Sequence, residues 1–412
     1  MEQLFHVAPY TGYVYPNETV IPWTVLIAVY PYMTGLVAGA FTVSSLYHVF
    51  GIQKYKHVAR FALLTALCFM IFVPAPLLLH LGQPARALNA LITPHLSSAF
   101  AMFGFFAAFY VCLVALESWF AFRVDNVARA KSSTGVRRLF YRAITLWSDD
   151  VSEKALAFDR KWLYVLAVVG IPGAHGLHGY VGFVFGSLKA REWWGSDLMP
   201  VIFLFSAVIS GVALLIVLYV VVSWIRKVTI DQDCLKGLTQ TLWGFLMFGV
   251  LLEVVEFANL FYQGEEGIEL IKEYVTGPLF VSYFVLQFGI GAALPITILT
   301  VMIFRKTSGR AFLVGTLVSA GLALMSVFMM RWNVVIGGQE ISKTMKGLLD
   351  YHLPFWGREG LLAAICVLIA PLILLWILTR LFPPWEPTNQ RASTSVTEAL
   401  SELPYGTAPK EV

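Results

Sequence analysis

The sequence has few charged residues and few cysteines, and both shortages narrow the class of protein. Only 13% of the residues are charged while 58% are hydrophobic, which is not the composition of a soluble globular domain. The four cysteines, at positions 68, 112, 234 and 366, are far apart and form neither CxxC nor CxxCH. We therefore expect no haem and no iron–sulfur cluster held by this chain. No zinc pattern or nucleotide-binding glycine motif occurs, and the net charge of +4 is small, so neither a metal site nor a nucleic-acid partner is expected.

Long apolar runs make up most of the chain. A hydrocarbon core about 30 Å thick is crossed by about 20 helical residues, and the runs reach that length. The sequence therefore predicts an all-α polytopic membrane protein with about nine transmembrane helices. In the first of them, Gly35 and Gly39 form a GxxxG pair that permits close contact with another helix. The predicted spans are 20–50, 57–82, 96–123, 161–187, 197–226, 234–263, 277–305, 309–333 and 357–382.

Basic residues are concentrated in alternate loops. The loops after the first, third, fifth and seventh spans contain them, for example Lys54, Arg129, Arg226 and Arg305. Because basic loops face the cytoplasm, we expect the amino terminus outside and the carboxyl terminus inside. Residues 1–19 would form an outer tail, and their lack of Lys and Arg predicts no cleavable signal peptide. Residues 383–412 are polar and would form a disordered cytoplasmic tail.

One apolar segment, GIPGAHGLHGYVGFVFG at 170–186, contains His175, His178 and Tyr180. The spacing of three places both histidines on one helical face, and the glycines leave room for another helix or a flat ligand. Ionisable groups are costly inside a membrane, so these residues are functional candidates. The alternative is that the histidines bond to nearby backbone carbonyls.

Polar residues from other spans fall at the same predicted depth, near the outer face. Tyr30 lies in the first span, His80 ends the second, and Glu253 and Glu256 share a face of the sixth. We expect one of the two glutamates to transfer protons, the alternative being a static salt bridge to Arg331. A flat substrate that exchanges protons at a membrane interface is a quinone, either menaquinone or ubiquinone. A proton-coupled transporter would also suit such a cluster.

Several segments, in this order along the chain, resemble the NrfD/polysulfide-reductase membrane-subunit family. They are Trp23 through Gly39, HLGQPAR at 80–86, IPGAH at 171–175, residues 193–211, RWNVVIGGQ at 331–339 and LPFWGREGLL at 353–362. Within the family, the chain looks nearest to the longer members, DsrP of the DsrMKJOP sulfur-metabolism complex and the hydrogenase-2 subunit HybB. The resemblance covers most of the membrane region.

The resemblance implies two four-helix bundles, 20–187 and 197–333, with 357–382 as an additional helix. It also implies a quinone site near the outer face of the first bundle. Tyr30 stands where the polysulfide enzyme has a histidine ligand to quinone, and His80 stands where the family usually has Asp. The predicted quinone contacts are Tyr30, His80, Arg86, His175, His178 and Tyr180, and the predicted proton-transfer residues are His175, Glu253 and Glu256.

The resemblance further implies a quinone-interacting subunit of a respiratory or sulfur-metabolism redox complex in the bacterial or archaeal cytoplasmic membrane. Its partners would be a periplasmic ferredoxin-like iron–sulfur subunit, docked on the outer loops, and further membrane and cytochrome subunits. Two alternatives stay open. One is a b-type cytochrome with His80 and His175 or His178 as axial ligands; the other is a transporter or a non-redox anchor. Glu117, near the inner end of the third span, is an isolated candidate for an inward proton path.

Overall fold

A computed structural model describes residues 6–7, 20–95, 97–188, 190–264, 267–345 and 347–384. Within them the chain is almost entirely helical. The α-helices are α1 (Val25–His48), α2 (Lys56–Phe72), α3 (Pro74–His80), α4 (Asn89–Ile92), α5 (Ala99–Ser132), α6 (Gly135–Ile144), α7 (Glu153–Gly186), α8 (Met199–Arg226), α9 (Gln232–Gln263), α10 (Ile268–Thr276), α11 (Leu294–Phe304), α12 (Gly309–Trp332), α13 (Gly338–Glu340) and α14 (Leu361–Leu381). The remaining elements are 3₁₀ turns at Gln53–Tyr55 and Pro84–Arg86, π-helices at Val281–Ala293 and Asn333–Gly337, and an antiparallel pair of short strands, β1 (His6–Val7) and β2 (Gly347–Leu348). Most of the two predicted tails lies outside the described residues.

The predicted class is confirmed, since the chain is a multi-pass helical membrane protein. Eight helical segments of the described chain are long and apolar enough to cross a membrane. They are Val25–His48, Gln53–His80, Ala99–Ser132, Met199–Arg226, Gln232–Gln263, Val281–Phe304, Gly309–Glu340 and Leu361–Leu381. The predicted span 161–187 lies in α7, a helix of 34 residues whose hydropathy is lowered by its histidines and glycines. The count of nine and the orientation stay predictions.

Hydrogen bonds between distant parts of the chain show which helix ends lie together. Before α1, the Trp23 backbone N–H donates to Gln339 Oε1 at 3.0 Å, after α12. At the opposite end, Arg226 Nη1 at the end of α8 donates to the carbonyl oxygen of Thr379 in α14 at 2.7 Å. We call the end near Trp23 the site end and the end near Arg226 the basic end. In the predicted topology the site end would face outward.

Helices α1 and α8 cross at the centre of the molecule with their backbones in contact. A Cβ atom added to Gly39 would overlap the Ala207 carbonyl oxygen, and one added to Gly211 would overlap the Gly39 backbone. The predicted close approach at the GxxxG pair is therefore confirmed. Gly35, one turn earlier, leaves the space in which the His178 ring sits. The hydrophobic core runs continuously through this crossing from the helices before residue 187 to those after residue 197.

The seventh predicted span departs from a regular α-helix. It begins as the π-helix Val281–Ala293 and continues as α11. The Ser326 hydroxyl of α12 donates to the Gln287 carbonyl oxygen at 2.9 Å, and Pro295 has no N–H to donate at the start of α11. π-Helical turns are rare and often occur at functional sites. This one places the Gln287 side chain in the interior, where only 2% of its surface is exposed.

Candidate functional site

A cavity opens between α8, α9, the π-helix at 281–293 and the end of α12. Its walls are mostly apolar and aromatic, with a few polar groups. The lining residues are Glu192, Trp193, Met199, Ile202, Glu253, Glu256, Phe257, Leu260, Tyr283, Gln287, Met330, Asn333 and Val334. The wall therefore combines aromatic rings with carboxyl and amide groups that can form hydrogen bonds.

A chain of hydrogen bonds fixes one carboxyl group of the cavity. Gln287 Nε2 donates to Glu253 Oε2 at 2.7 Å, and Asn333 Nδ2 donates to Gln287 Oε1 at 2.8 Å. Trp193 Nε1 donates to the Asn333 carbonyl oxygen at 3.0 Å, which ties the loop after α7 to the same group. The Gln287 amide therefore fixes the orientation of the Glu253 carboxyl group, because its N–H can only donate and the carboxyl oxygen accepts.

The second carboxyl group of the cavity is less constrained. Glu256 lies one turn nearer the site end than Glu253, on the same face of α9. Its Oε2 atom is buried and has no hydrogen-bond partner in the described part of the chain. The phenol of Tyr283 lies beside both carboxyl groups. Glu256 thus offers an open acceptor in a site that also supplies an aromatic wall.

A separate buried cluster surrounds Arg331, whose side chain is fully buried. Its Nη2 atom donates to His178 Nε2 at 2.9 Å and to the Ser206 hydroxyl at 2.5 Å. The guanidinium carbon also lies 3.8 Å from the centre of the Phe203 ring, a cation–π contact. Among the described contacts, no ion pair joins Arg331 to Glu253, so the salt bridge weighed above is not formed.

The hydrogen bonds of His178 determine its protonation. Arginine can only donate, so Nε2 accepts and the ring proton lies on Nδ1. Nδ1 then donates to the Thr34 hydroxyl at 3.0 Å, and Thr34 donates to the Pro31 carbonyl oxygen at 3.0 Å. His178 is therefore a neutral imidazole with both ring nitrogens in use, held between α1 and α12.

The other two polar residues of the glycine-rich segment bond to backbone carbonyls. His175 is half-buried, and its Nδ1 donates to the Ile171 carbonyl oxygen one turn earlier at 2.8 Å. His175 therefore bonds to a nearby backbone carbonyl, which is the alternative to a functional role that the sequence left open. Tyr180 donates to the Ala99 carbonyl oxygen at 3.0 Å, which joins the end of α7 to the start of α5. Neither residue lines the cavity.

The remaining predicted contacts lie at the rim of the site end or in the core of the first half. Tyr30 is buried and packs edge-on against Phe103, with ring centres 5.2 Å apart. His80 Nδ1 lies 3.0 Å from Glu359 Oε2, at the start of α14. Arg86 is exposed in the 3₁₀ turn after α3. The structure therefore brings Glu253 and Glu256 to the cavity and leaves these three residues elsewhere. Their predicted roles stay predictions.

Sequence reasoning missed the importance of Arg331. A charge after an apolar run suggests a helix end near the membrane surface. The helix instead continues through the π-helical turn Asn333–Gly337, so Arg331 is buried before the end is reached. A signal was present, because Arg331 begins the segment RWNVVIGGQ that carries part of the family resemblance. Phe203 and Ser206 likewise fall in the resembling segment 193–211, but nothing singled them out within it.

Comparison with known proteins identifies the family. A family model described as polysulphide reductase, NrfD, matches residues 15–342. The chain belongs to the NrfD family. It is similar to a selenate reductase subunit of Mesobacillus selenatarsenatis, with 32% identity over 321 residues that cover 76% of this chain and 73% of the relative. This NrfD-family chain is also similar to the Hdr-like menaquinol oxidoreductase integral membrane subunit of Archaeoglobus fulgidus, with 24% identity over 364 residues that cover 87% and 80% of the two chains. The predicted family is confirmed, and the nearer likeness to DsrP and HybB stays a prediction.

Proposed function

We propose that this NrfD-family chain is the quinone-interacting membrane subunit of a redox complex, with the quinone head group bound in the cavity beside Glu256. The observation that carries the proposal is a cavity in the membrane region with aromatic side chains in its wall and two carboxyl groups three residues apart, one bonded to Gln287 and one with a buried oxygen that has no partner in the described chain. The similarity to a subunit named as part of a menaquinol oxidoreductase supports it.

The two carboxyl groups suit the proton chemistry of a quinol. Oxidation of a quinol breaks two O–H bonds, leaves two carbonyl groups on the ring, and releases two protons and two electrons. The open oxygen of Glu256 accepts the first proton, because it has no competing donor. Glu253 accepts the second, since the amide of Gln287 orients its carboxylate. Quinone reduction uses the same groups in reverse.

The electrons leave through a partner at the site end. Relatives are subunits of reductase or oxidoreductase complexes, so further subunits are expected. We infer a periplasmic ferredoxin-like iron–sulfur subunit, with cytochrome and other membrane subunits beyond it, and a place in the cytoplasmic membrane. The segment before α14 exposes Leu353, Phe355 and Trp356, which gives the site end an apolar surface for docking.

A b-type cytochrome with His178 as an axial ligand fits the structure less well. A haem iron needs a free ring nitrogen from each axial histidine. Both ring nitrogens of His178 are hydrogen-bonded, whereas the described contacts of His80 and His175 involve only Nδ1. Binding of a haem at His178 would break its contact with Arg331 and leave that buried cation without its imidazole acceptor.

The test is a titration of the purified protein with a fluorescent quinol analogue. Three variants are compared with the wild type: Glu256→Gln in the cavity, His175→Ala in the first half, and Glu359→Gln as a matched control at the site end but outside the cavity. We expect saturable quenching by the wild type, at least about tenfold weaker binding by Glu256→Gln, and unchanged binding by the other two.

Two results would contradict the proposal in different ways. Weaker binding by His175→Ala with unchanged binding by Glu256→Gln would move the quinone to the predicted site in the first half. No saturable binding by folded wild-type protein would argue against a quinone role and favour an anchor or a transporter.

A further inference from the structure

The side chain of Glu117 is buried in the middle of α5, far from the cavity. It has no solvent exposure, and neither carboxyl oxygen has a hydrogen-bond partner among the described residues. Glu117 lies on the nineteenth residue of a helix of 34 residues, about 27 Å along the axis from the site end. The proposed quinone chemistry does not use it.

The cations nearest to this part of α5 are already paired. Arg123 Nε donates to Asp159 Oδ2 at 2.7 Å, and Arg60 of α2 is paired with Asp125. No ion pair to Glu117 is formed within the described chain. A carboxylate buried without a cation or a donor is strongly disfavoured, so the group is held as a neutral acid.

The histidine at the basic end of α1 is not paired with Glu117 either. On α1, which like α5 runs from the site end to the basic end, His48 is buried and its Nδ1 lies 3.0 Å from the Ser44 hydroxyl. Neither oxygen of Glu117 has a partner in the described chain, so His48 does not serve as its counter-ion.

A second unpartnered group lies on the same face of α5. Tyr110 is two turns before Glu117, and its hydroxyl is buried without a partner in the described chain. Its ring is wedged between Phe41 of α1, 5.7 Å away, and Gly173 of α7. Buried polar groups without protein partners are usually bridged by internal water.

The polar groups along α5 indicate from which end of the molecule protons would reach Glu117. Towards the site end, the segment 99–109 reads AFAMFGFFAAF and offers no polar side chain. Towards the basic end, Ser118 Oγ is also buried without a partner in the described chain, as is Asn126 Oδ1 on the opposite face of α5. The unpartnered polar groups of α5 that follow Glu117 therefore lie on its basic-end side.

We propose that Glu117 is an internal proton-binding site, a neutral carboxylic acid bridged to Tyr110 by water and in proton exchange with solvent at the basic end. The site is independent of the cavity and does not depend on quinone binding. It gives the chain a place to hold a proton taken from the side opposite the redox chemistry.

Infrared spectroscopy of the purified protein tests this directly. A protonated carboxyl group has a carbonyl stretch that ionised carboxylates lack, and this band shifts when the proton is replaced by deuterium. We expect the band in the wild type, its shift on transfer to D₂O, and its loss in Glu117→Gln. The control Glu153→Gln, an exposed residue at the start of α7, should keep the band. Asn126→Leu should keep the band and slow its shift.

The proposal is overturned by a band that survives in Glu117→Gln, or by a Glu117 band that does not shift in D₂O. If Glu117→Gln fails to fold, the wild type is treated with dicyclohexylcarbodiimide, which adds to protonated carboxyl groups in apolar surroundings. Mass spectrometry should find the adduct on Glu117. Absence of both the shifting band and the adduct contradicts the proposal, whatever the outcome of the quinol titration.

Discussion

Two polar clusters lie a few residues apart at the site end, and they differ in how their groups are partnered. Around Arg331, both ring nitrogens of His178 are bonded, and the guanidinium donates to Ser206 and lies over the Phe203 ring, although its Nε atom is buried without a partner in the described chain. In the cavity, Glu253 is tied to Gln287 while Glu256 keeps a buried oxygen without a partner in the described chain.

The difference separates structural from functional polar residues. A polar group whose partners all belong to the protein joins helices together and leaves nothing for a ligand. A buried group left open beside a cavity is costly unless a ligand or water completes it. By this criterion His178 is structural and holds α1, α7 and α12 together. Arg331 keeps one unpartnered atom but does not line the cavity, whereas Glu256 lines it and is the group available for chemistry.

The largest effect is expected on the rate of quinol oxidation when Glu256 is changed. Glu256→Gln should lower quinol oxidation by the purified complex about 10²- to 10⁴-fold, because an amide cannot accept the quinol proton. Its melting temperature should stay near that of the wild type, since no protein hydrogen bond to Oε2 is lost. The matched variant Glu359→Gln should oxidise quinol at the wild-type rate. Equal rates of quinol oxidation in the two variants would contradict the role of Glu256 as a proton acceptor.

In the cluster around Arg331, we expect a loss of stability rather than a loss of activity. Arg331→Leu should reduce the free energy of unfolding by about 3 kcal/mol, because His178 Nε2 and the Ser206 hydroxyl lose a charged donor in the interior. Thermal unfolding in detergent measures the loss. Arg310→Leu, an exposed position at the start of the same helix, is the control. If Arg331→Leu unfolds like the control and loses only quinol binding, the division between the two clusters is wrong.

The cluster around Arg331 also depends on the close contact between α1 and α8. Gly39→Ala should destabilise the protein by about 1–3 kcal/mol, since the new Cβ would overlap the Ala207 carbonyl oxygen and force α1 from α8. Gly321→Ala in α12, where an added Cβ meets nothing within 4 Å, should leave stability unchanged. Similar melting temperatures for the two variants would mean that α1 and α8 separate freely.

The helical membrane class was predictable because long apolar runs are a property of the sequence itself. The glycine pair at 35 and 39 likewise predicted a close helix contact, and the structure shows it. The pairing of Glu253 with Glu256 followed from their spacing of three on one helix. These predictions needed only neighbours along the chain.

The site was less predictable because its contacts join distant residues. His178 meets Arg331 at a separation of 153 positions, and Gln287 meets Glu253 at a separation of 34. No local pattern shows that Arg331 would occupy the acceptor of His178, so both histidines of the glycine-rich segment seemed equally available. The π-helix that turns Gln287 inward is also invisible to a pattern based on regular helices.

A third type of polar contact, at the rim of the site end, should matter least. His80 Nδ1 and Glu359 Oε2 are 3.0 Å apart, and about a fifth and a third of their side-chain surfaces are exposed. Such pairs contribute less than about 1 kcal/mol, because water screens them. His80→Ala should therefore lower stability by less than that amount, and a double-mutant cycle with Glu359→Gln measures the coupling, which should shrink further as salt is added. A coupling as large as the effect of Arg331→Leu would show that the rim, and not the buried guanidinium, joins α14 and the first helices to the rest of the site end.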